Sequence, residues 1–106
     1  MEFFNFFKAQ KQENNIGFSV ICFVENDLYK TALNFRRHIR KNKYTNYEII
    51  FCGNISQKTK NAFKNKKDCI FAESDNNIAS AYMRGAAMAT KEYYCFTRAY
   101  EMWSDN

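Results

Sequence analysis

Four short apolar segments, each of strand length, are spaced along this chain. The first runs from Phe18 to Val24 almost without interruption, which is typical of a strand buried on both faces of a parallel sheet. We expect the aromatic residues of the first, second and fourth segments to lie in the core. The pattern predicts strands at about 18–24, 47–52, 69–72 and 93–97.

Segments with the period of a helix separate these strands. After a candidate N-cap at Asp27, apolar residues recur at steps of four, three and four, which predicts a helix over about 28–42 with one buried stripe: Leu28, Ala32, Phe35 and Ile39. Ser56 can cap a short lysine-rich helix, and a third helix with a small-residue face begins near Ile78. Because strands alternate with helices, the predicted fold class is α/β: a Rossmann-like, mainly parallel sheet of about four strands with helices on both faces.

The two ends of the chain fall outside this alternation. The length of 106 residues and the hydrophobic fraction of 46% suit a single domain. We place that domain at 17–101, between an N-terminal Phe-rich segment (1–16) and a C-terminal tail (102–106). We expect the four phenylalanines of the N-terminal segment to pack against the sheet or a neighbouring subunit. Weak contact with a membrane surface is the alternative for that segment.

Positive charge is concentrated in the middle of the chain. Residues 30–67 hold eleven of the sixteen Lys and Arg residues and a single acid, Glu48, so this stretch carries +10 while the whole chain carries +5. Clustered positive charge attracts phosphates, nucleic acid or an anionic membrane surface. Two solvated helix faces in a lysine-rich protein would produce the same pattern.

Several chemistries lack the residues that they need. The longest apolar stretch is far shorter than the roughly 20 residues of a membrane-spanning helix, so we expect a cytoplasmic protein, with attachment to the inner face of the membrane left open. The four cysteines form no C-x-x-C pair, which favours buried, reduced thiols over a zinc site. No glycine-rich phosphate loop, G-x-S-x-G motif or RNA-binding aromatic motif is present, and nucleic acid is therefore not the expected partner.

Four segments, in order, resemble glycosyltransferase family 2, which has the GT-A fold. One of them is the helix with its apolar stripe from Leu28 to Ile39, which is similar to the helix after the family's opening strand. Residues 19–26 (SVICFVEN) are similar to the family's opening S-V-I-I-P-T-Y-N, and residues 48–56 (EIIFCGNIS) to its E-I-I-V-V-D-D-G-S. Residues 75–93 are similar to its N-x-G-x-x-x-A-R-N-x-G-I-x-x-A-x-G-E-Y. The resemblance covers the nucleotide-binding half of the family, over roughly residues 17–101, and implies the strand order 3-2-1-4.

The chain departs from the family pattern where the family does its chemistry. The carboxylate that accepts from the uracil ring would lie at Gly53 or Asn54, and only Asn54 offers an acceptor oxygen. The D-x-D motif that holds Mg²⁺ or Mn²⁺ falls on residues 98–100, Arg-Ala-Tyr, with Glu101 one place beyond. An arginine repels a divalent cation but can pair with phosphate oxygens directly.

The resemblance therefore implies a binding domain for a nucleotide-sugar of the UDP type, impaired or inactive as a glycosyltransferase by itself. No catalytic residue, metal ligand or cofactor is assigned. A non-catalytic interaction protein that binds an anionic partner through its basic helices is the alternative. Because the family builds more sheet after this point, we expect another subunit or the N-terminal segment to cover the edge of the fourth strand. The expected nucleotide cleft consists of Glu25, Asn26, Asn54, Asp75 and Arg98.

Overall fold

The structure, a computed structural model, describes residues 16–25, 29–42 and 45–99. Each of the four predicted strands is confirmed, with its ends within one residue of the expected positions. The cap expected at Asp27 and the phenylalanine-rich segment lie outside the described residues. Strands and helices alternate in the order β1 (Phe18–Phe23), α1 (Tyr29–Lys41), β2 (Tyr47–Gly53), α2 (Gln57–Ala62), β3 (Cys69–Glu73), α3 (Ile78–Met88) and β4 (Tyr93–Arg98).

The four strands form one parallel sheet in the order β3-β2-β1-β4. In the register of the sheet, Phe18 of β1 lies opposite Tyr47 of β2 and Tyr93 of β4. The α/β class, the parallel sheet and the predicted strand order are confirmed. Each strand consequently ends at the same edge, which we call the carboxyl edge, and begins at the opposite amino edge.

Helices cover both faces of the sheet, as predicted. On one face, α1 and α2 bury a cluster of large apolar side chains against the strands, and the cluster includes Phe18, Phe35, Ile39, Ile49, Phe51 and Phe63. On the other face, α3 packs against Ile21, Ile50 and Cys52. Each fully buried side chain of this size stabilises the fold by roughly 1.5–3 kcal/mol.

The small-residue face of α3 allows a close approach to the sheet. A methyl group built on Gly85 would lie 2.6 Å from Cγ2 of Ile21. Ala81 is fully buried on the same face, and the Tyr82 hydroxyl donates a 2.9 Å hydrogen bond to the carbonyl oxygen of Thr97. Helix α3 is therefore joined to β1 by packing and to β4 by a hydrogen bond.

The predicted cap of α2 is also confirmed. The Ser56 hydroxyl accepts a 3.2 Å hydrogen bond from the backbone N–H of Thr59, which satisfies one donor in the first turn of the helix. Phe63, immediately after the helix, is 2% exposed and anchors it to the sheet.

The expectation that the aromatic residues of β4 lie in the core is wrong. Tyr93, Tyr94 and Phe96 are 51%, 47% and 50% exposed. Among the described residues β4 is an edge strand, so that its side chains have neighbours from β1 on one side alone. That another subunit or the N-terminal segment covers this edge stays a prediction.

None of the helices in the described part of the chain is both long and apolar enough to cross a bilayer.

Candidate functional site

The chain adds its later strands to both sides of β1, so the strand order reverses direction there. From β1 the chain passes through α1 to β2 on one side, whereas β4, which follows α3 on the opposite face, lies on the other side of β1. Ligands of open α/β sheets bind beyond the carboxyl ends of the strands at such a switch point. The switch point here lies between β1 and β4, where Phe23 lies opposite Arg98 in the register.

Four of the five residues expected in the nucleotide cleft lie at this edge. Glu25 comes two residues after β1, Asn54 directly follows β2, and Arg98 ends β4. Asp75 comes two residues after β3. Asn26 lies outside the described residues. Since neighbouring strands are about 4.8 Å apart, the ends of the four strands span on the order of 14 Å, the length scale of a nucleotide.

The end of β2 has a backbone that favours glycine. Gly53 has a φ of +129°, and a methyl group built on it would lie 3.2 Å from the carbonyl oxygen of Val24. Its own carbonyl accepts a 2.8 Å hydrogen bond from Ser74 N–H. A carboxylate at position 53 would be strained, which leaves the exposed Asn54 as the polar side chain at the end of β2.

Asp75 stabilises the loop that leads into α3. Its Oδ1 accepts a 3.1 Å hydrogen bond from Asn77 N–H, and Asn77 in turn caps α3 by accepting from Ser80 N–H at 3.0 Å. The Asp75 side chain is exposed. Its carboxylate is thus held at the carboxyl edge by the loop that it helps to fold.

Sequence reasoning missed three charged residues at the same edge. The Lys60 ammonium forms an ion pair with the Glu73 carboxylate, and Arg84 Nε donates a 3.2 Å hydrogen bond to the Glu73 carbonyl. These contacts join α2 and α3 to the end of β3. Because the residues come from three separate elements, no spacing in the sequence indicates that they meet.

Arg98 occupies the end of β4 with its backbone held in place. The neighbouring residue, Thr97, is buried and accepts the hydrogen bond from Tyr82, and Ala99 on the other side is 2% exposed. The Arg98 side chain is half-buried. A guanidinium that is partly removed from water and fixed at its base is well placed to receive phosphate oxygens.

The residues present do not fit the divalent cation of the resembling family. Hard cations require oxygen ligands, and the position that the resemblance aligns with the first residue of the metal motif carries the guanidinium of Arg98. Within residues 16–25, 29–42 and 45–99, no group of three or more His, Cys, Asp or Glu side chains could hold a metal ion. Tyr100 and Glu101 lie outside the described residues.

Three of the four cysteines are poor candidates for a nucleophile. Burial raises the pKa of the Cys52 thiol to about 12 and that of Cys95 to about 11, and burial also raises the pKa of Cys69. These thiols are protonated at neutral pH, whereas thiol chemistry requires the thiolate. As predicted, Cys22, Cys52 and Cys69 are buried thiols; Cys95 is half-buried.

The fold and the carboxyl edge together define an α/β domain of Rossmann-like type with polar residues after the carboxyl ends of its strands. No family model, curated protein or solved structure matches this chain.

Proposed function

We propose that this chain is a glycosyltransferase family 2-like nucleotide-sugar-binding domain that does not transfer sugar by itself. The observation that carries the proposal is the strand order β3-β2-β1-β4 in an all-parallel sheet with Arg98 at the switch point. This order is the one that the sequence resemblance implies, and it brings three of the motif-derived residues to the ends of adjacent strands: Glu25, Asn54 and Arg98.

In the proposed complex, Arg98 binds the diphosphate. A guanidinium presents two parallel N–H donors to phosphate and carries a permanent positive charge. It therefore offsets part of the charge of the diphosphate without a metal ion. Asn54 offers an amide oxygen to the N–H of the base, and the carboxylates of Glu25 and Asp75 accept hydrogen bonds from sugar hydroxyls.

Transfer requires more than this binding. Departure of the diphosphate needs fixed positive charge in the transition state, and Arg98 supplies one such charge. Deprotonation of an acceptor hydroxyl needs a general base, and none is assigned in this chain. Because orientation and proton transfer each contribute orders of magnitude to a rate, the proposed role is binding.

Calorimetry with UDP, UDP-sugars and GDP-sugars, each with and without Mn²⁺, tests the proposal. We expect a UDP-type ligand to bind with the same affinity in both conditions. Arg98→Ala should weaken UDP at least about tenfold, which corresponds to 1.4 kcal/mol, and should leave uridine, which lacks phosphate, unchanged.

Lys64→Ala is the matched control for this experiment. Lys64 is exposed and lies in the segment between α2 and β3, so its loss removes one positive charge from another part of the molecule. Absence of nucleotide binding would reject the proposed function, and binding that depends on Mn²⁺ would reject the role of Arg98.

A further inference from the structure

A basic groove lies on the α1 face of the sheet, far from the switch point. It is an open depression of about 490 Å³ lined by Leu33, Arg36, Arg37, Arg40, Lys41 and Lys66. Five of the six side chains carry positive charge. Helix α1 runs antiparallel to the strands, so its last turns, which contribute most of the lining, lie toward the amino edge.

Arg36 is held in position within this groove. Its Nε donates a 2.9 Å hydrogen bond to Oδ1 of Asp68, and the side chains of the two residues are 16% and 20% exposed. The other carboxylate oxygen, Oδ2, accepts a 2.6 Å hydrogen bond from the Tyr47 hydroxyl. The Asp68 carboxylate therefore holds the Arg36 side chain in place, and Tyr47 in turn holds the carboxylate.

The same contacts determine the protonation states of Tyr47 and Asp68. Burial raises the pKa of Tyr47, and the hydrogen bond to Asp68 raises it further. Burial alone would raise the pKa of Asp68, but the hydrogen bonds from Tyr47 and Arg36 outweigh it and hold the pKa below the usual range. At neutral pH, Tyr47 is a donor and Asp68 a carboxylate.

The remaining charges converge on the groove from two elements. Arg36, Arg37, Arg40 and Lys41 are at positions i, i+1, i+4 and i+5 of one helix, within about one and a half turns. Lys66 comes from the segment between α2 and β3, where its N–H donates to the Phe63 carbonyl at 2.9 Å. Favourable interaction with the helix dipole explains cations in the last turn of α1, but it does not explain Lys66 on the facing segment.

The positions of exposed apolar side chains limit the class of ligand that the basic groove can bind. The exposed large hydrophobic side chains of the described residues lie on α3 and β4: Met83, Met88, Tyr93, Tyr94 and Phe96. None of the residues that line the groove is aromatic, so the groove offers no ring for stacking a nucleic-acid base or inserting into a bilayer. The exposed Tyr93 contacts Phe18 on the same face, but it belongs to β4, at the opposite side of the sheet from β3. A concave, basic surface of this kind suits a compact anion of high charge density.

We propose that the basic groove binds a soluble ligand that carries two or more consecutive phosphate groups. Arg36 provides a preoriented guanidinium for one phosphate, and the other four cations neutralise the next. The proposal is independent of the proposed function, because the groove and the switch point are at opposite edges of the sheet and share no residue.

Calorimetry with inorganic tripolyphosphate tests this site. We expect binding by the unmodified chain and a loss of about tenfold or more in affinity, at least 1.4 kcal/mol, in the double variant Arg37→Ala/Arg40→Ala. Both residues are exposed, so the fold is expected to survive. Arg36→Lys, which keeps the charge but loses the planar fork, should weaken binding several-fold.

The double variant Lys64→Ala/Lys67→Ala is the matched control, because both lysines are exposed and lie outside the groove lining. It should bind tripolyphosphate like the unmodified chain. Equal affinity in the Arg37→Ala/Arg40→Ala variant and this control would overturn the proposal. It would also be overturned by binding to a 15-nucleotide oligo-dT or to phosphatidylglycerol vesicles that tripolyphosphate does not displace, since these outcomes indicate an extended surface.

Discussion

The Ser19 hydroxyl donates a 2.6 Å hydrogen bond to Oε2 of Glu48 and so joins β1 to β2 at the amino edge. The same carboxylate oxygen accepts from the backbone N–H of Thr90 at 2.7 Å and from its hydroxyl at 3.0 Å. The Ser19 oxygen accepts from Lys91 N–H at 3.1 Å. One carboxylate therefore ties together two strands and the segment between α3 and β4.

This network predicts a loss of stability in acid. Burial by itself would raise the pKa of Glu48, but hydrogen bonds from Ser19 and Thr90 and the charge of Lys91 lower it below 4.5. A depressed pKa in the folded state stabilises the fold above about pH 4.5, and the stabilisation is lost as the pH falls through the folded value.

Glu48→Gln should lower the free energy of unfolding by about 1–3 kcal/mol at pH 7, the typical contribution of hydrogen bonds to a charged group. The difference from the unmodified chain should shrink as the pH falls through the folded pKa of Glu48, because the unmodified side chain is neutral below it. Urea unfolding at pH 7 and at stepwise lower pH measures this. Glu25→Gln, at an exposed carboxylate, is the control; an equal effect in both variants would contradict the role of Glu48.

The close approach of α3 to the sheet predicts that Gly85→Ala is destabilising. In an exposed position of a helix, the same change would stabilise by roughly 1 kcal/mol. At position 85 the new methyl group meets the fully buried Ile21 at 2.6 Å, and such overpacking typically costs about 1–3 kcal/mol. Thermal unfolding gives the sign, with Ala87→Gly on the exposed face of α3 as the propensity control. Stabilisation by Gly85→Ala would show that the helix can move away from β1.

The backbone of Gly53 predicts that an acidic side chain at this position destabilises the fold. Gly53→Asp places a side chain at a φ of +129° and a β-carbon 3.2 Å from the Val24 carbonyl oxygen. We expect a loss of about 1–3 kcal/mol in the free energy of unfolding. Asn54→Asp, one residue further and exposed, should leave stability within about 0.5 kcal/mol of the unmodified chain. Similar urea midpoints for the two variants would be evidence against strain at position 53.

The assignment of residues 98–100 to the metal motif predicts a gain of function. Arg98→Asp combined with Tyr100→Asp should create Mn²⁺ affinity, because two carboxylates would replace a repelling guanidinium and a phenol. Titration calorimetry should show Mn²⁺ binding at least about tenfold tighter than in the unmodified chain. Arg37→Asp combined with Tyr94→Asp makes the same change of charge on two separate elements and should bind no better. If the Arg98→Asp/Tyr100→Asp variant binds Mn²⁺ no more tightly than the control variant, the alignment of β4 with the metal motif is wrong.

The absence of an assigned general base predicts that the unmodified chain releases UDP from UDP-sugars at the rate of the buffer alone. A coupled assay for UDP measures this, with and without Mn²⁺. If the unmodified chain shows turnover above background and Arg98→Ala abolishes it, the protein is a metal-independent transferase and the proposal of binding alone is wrong.

Most of the fold was predictable because its signals are local. The apolar run at Phe18–Phe23 and the helical stripe through Ala32, Phe35 and Ile39 depend only on the period of neighbouring residues, and alternation of strands with helices strongly favours parallel pairing. The candidate cleft was predictable for the same reason. Residues that follow parallel strands must share one edge, whatever their distance in sequence.

The remaining features depend on residues that are far apart in the chain. Arg36 and Asp68 are separated by 32 positions, and neither has a spacing that indicates the other, so the basic groove appears only when α1 packs beside the start of β3. Tyr94 and Phe96 form part of an apolar-rich strand, yet they are half-exposed because β4 has a neighbouring strand on one side alone in the described sheet. The sequence by itself determined the elements and their order, since these follow from the alternation of apolar and polar residues. The tertiary structure alone decided which charges meet and which apolar side chains stay in water, because both depend on the neighbours that packing supplies.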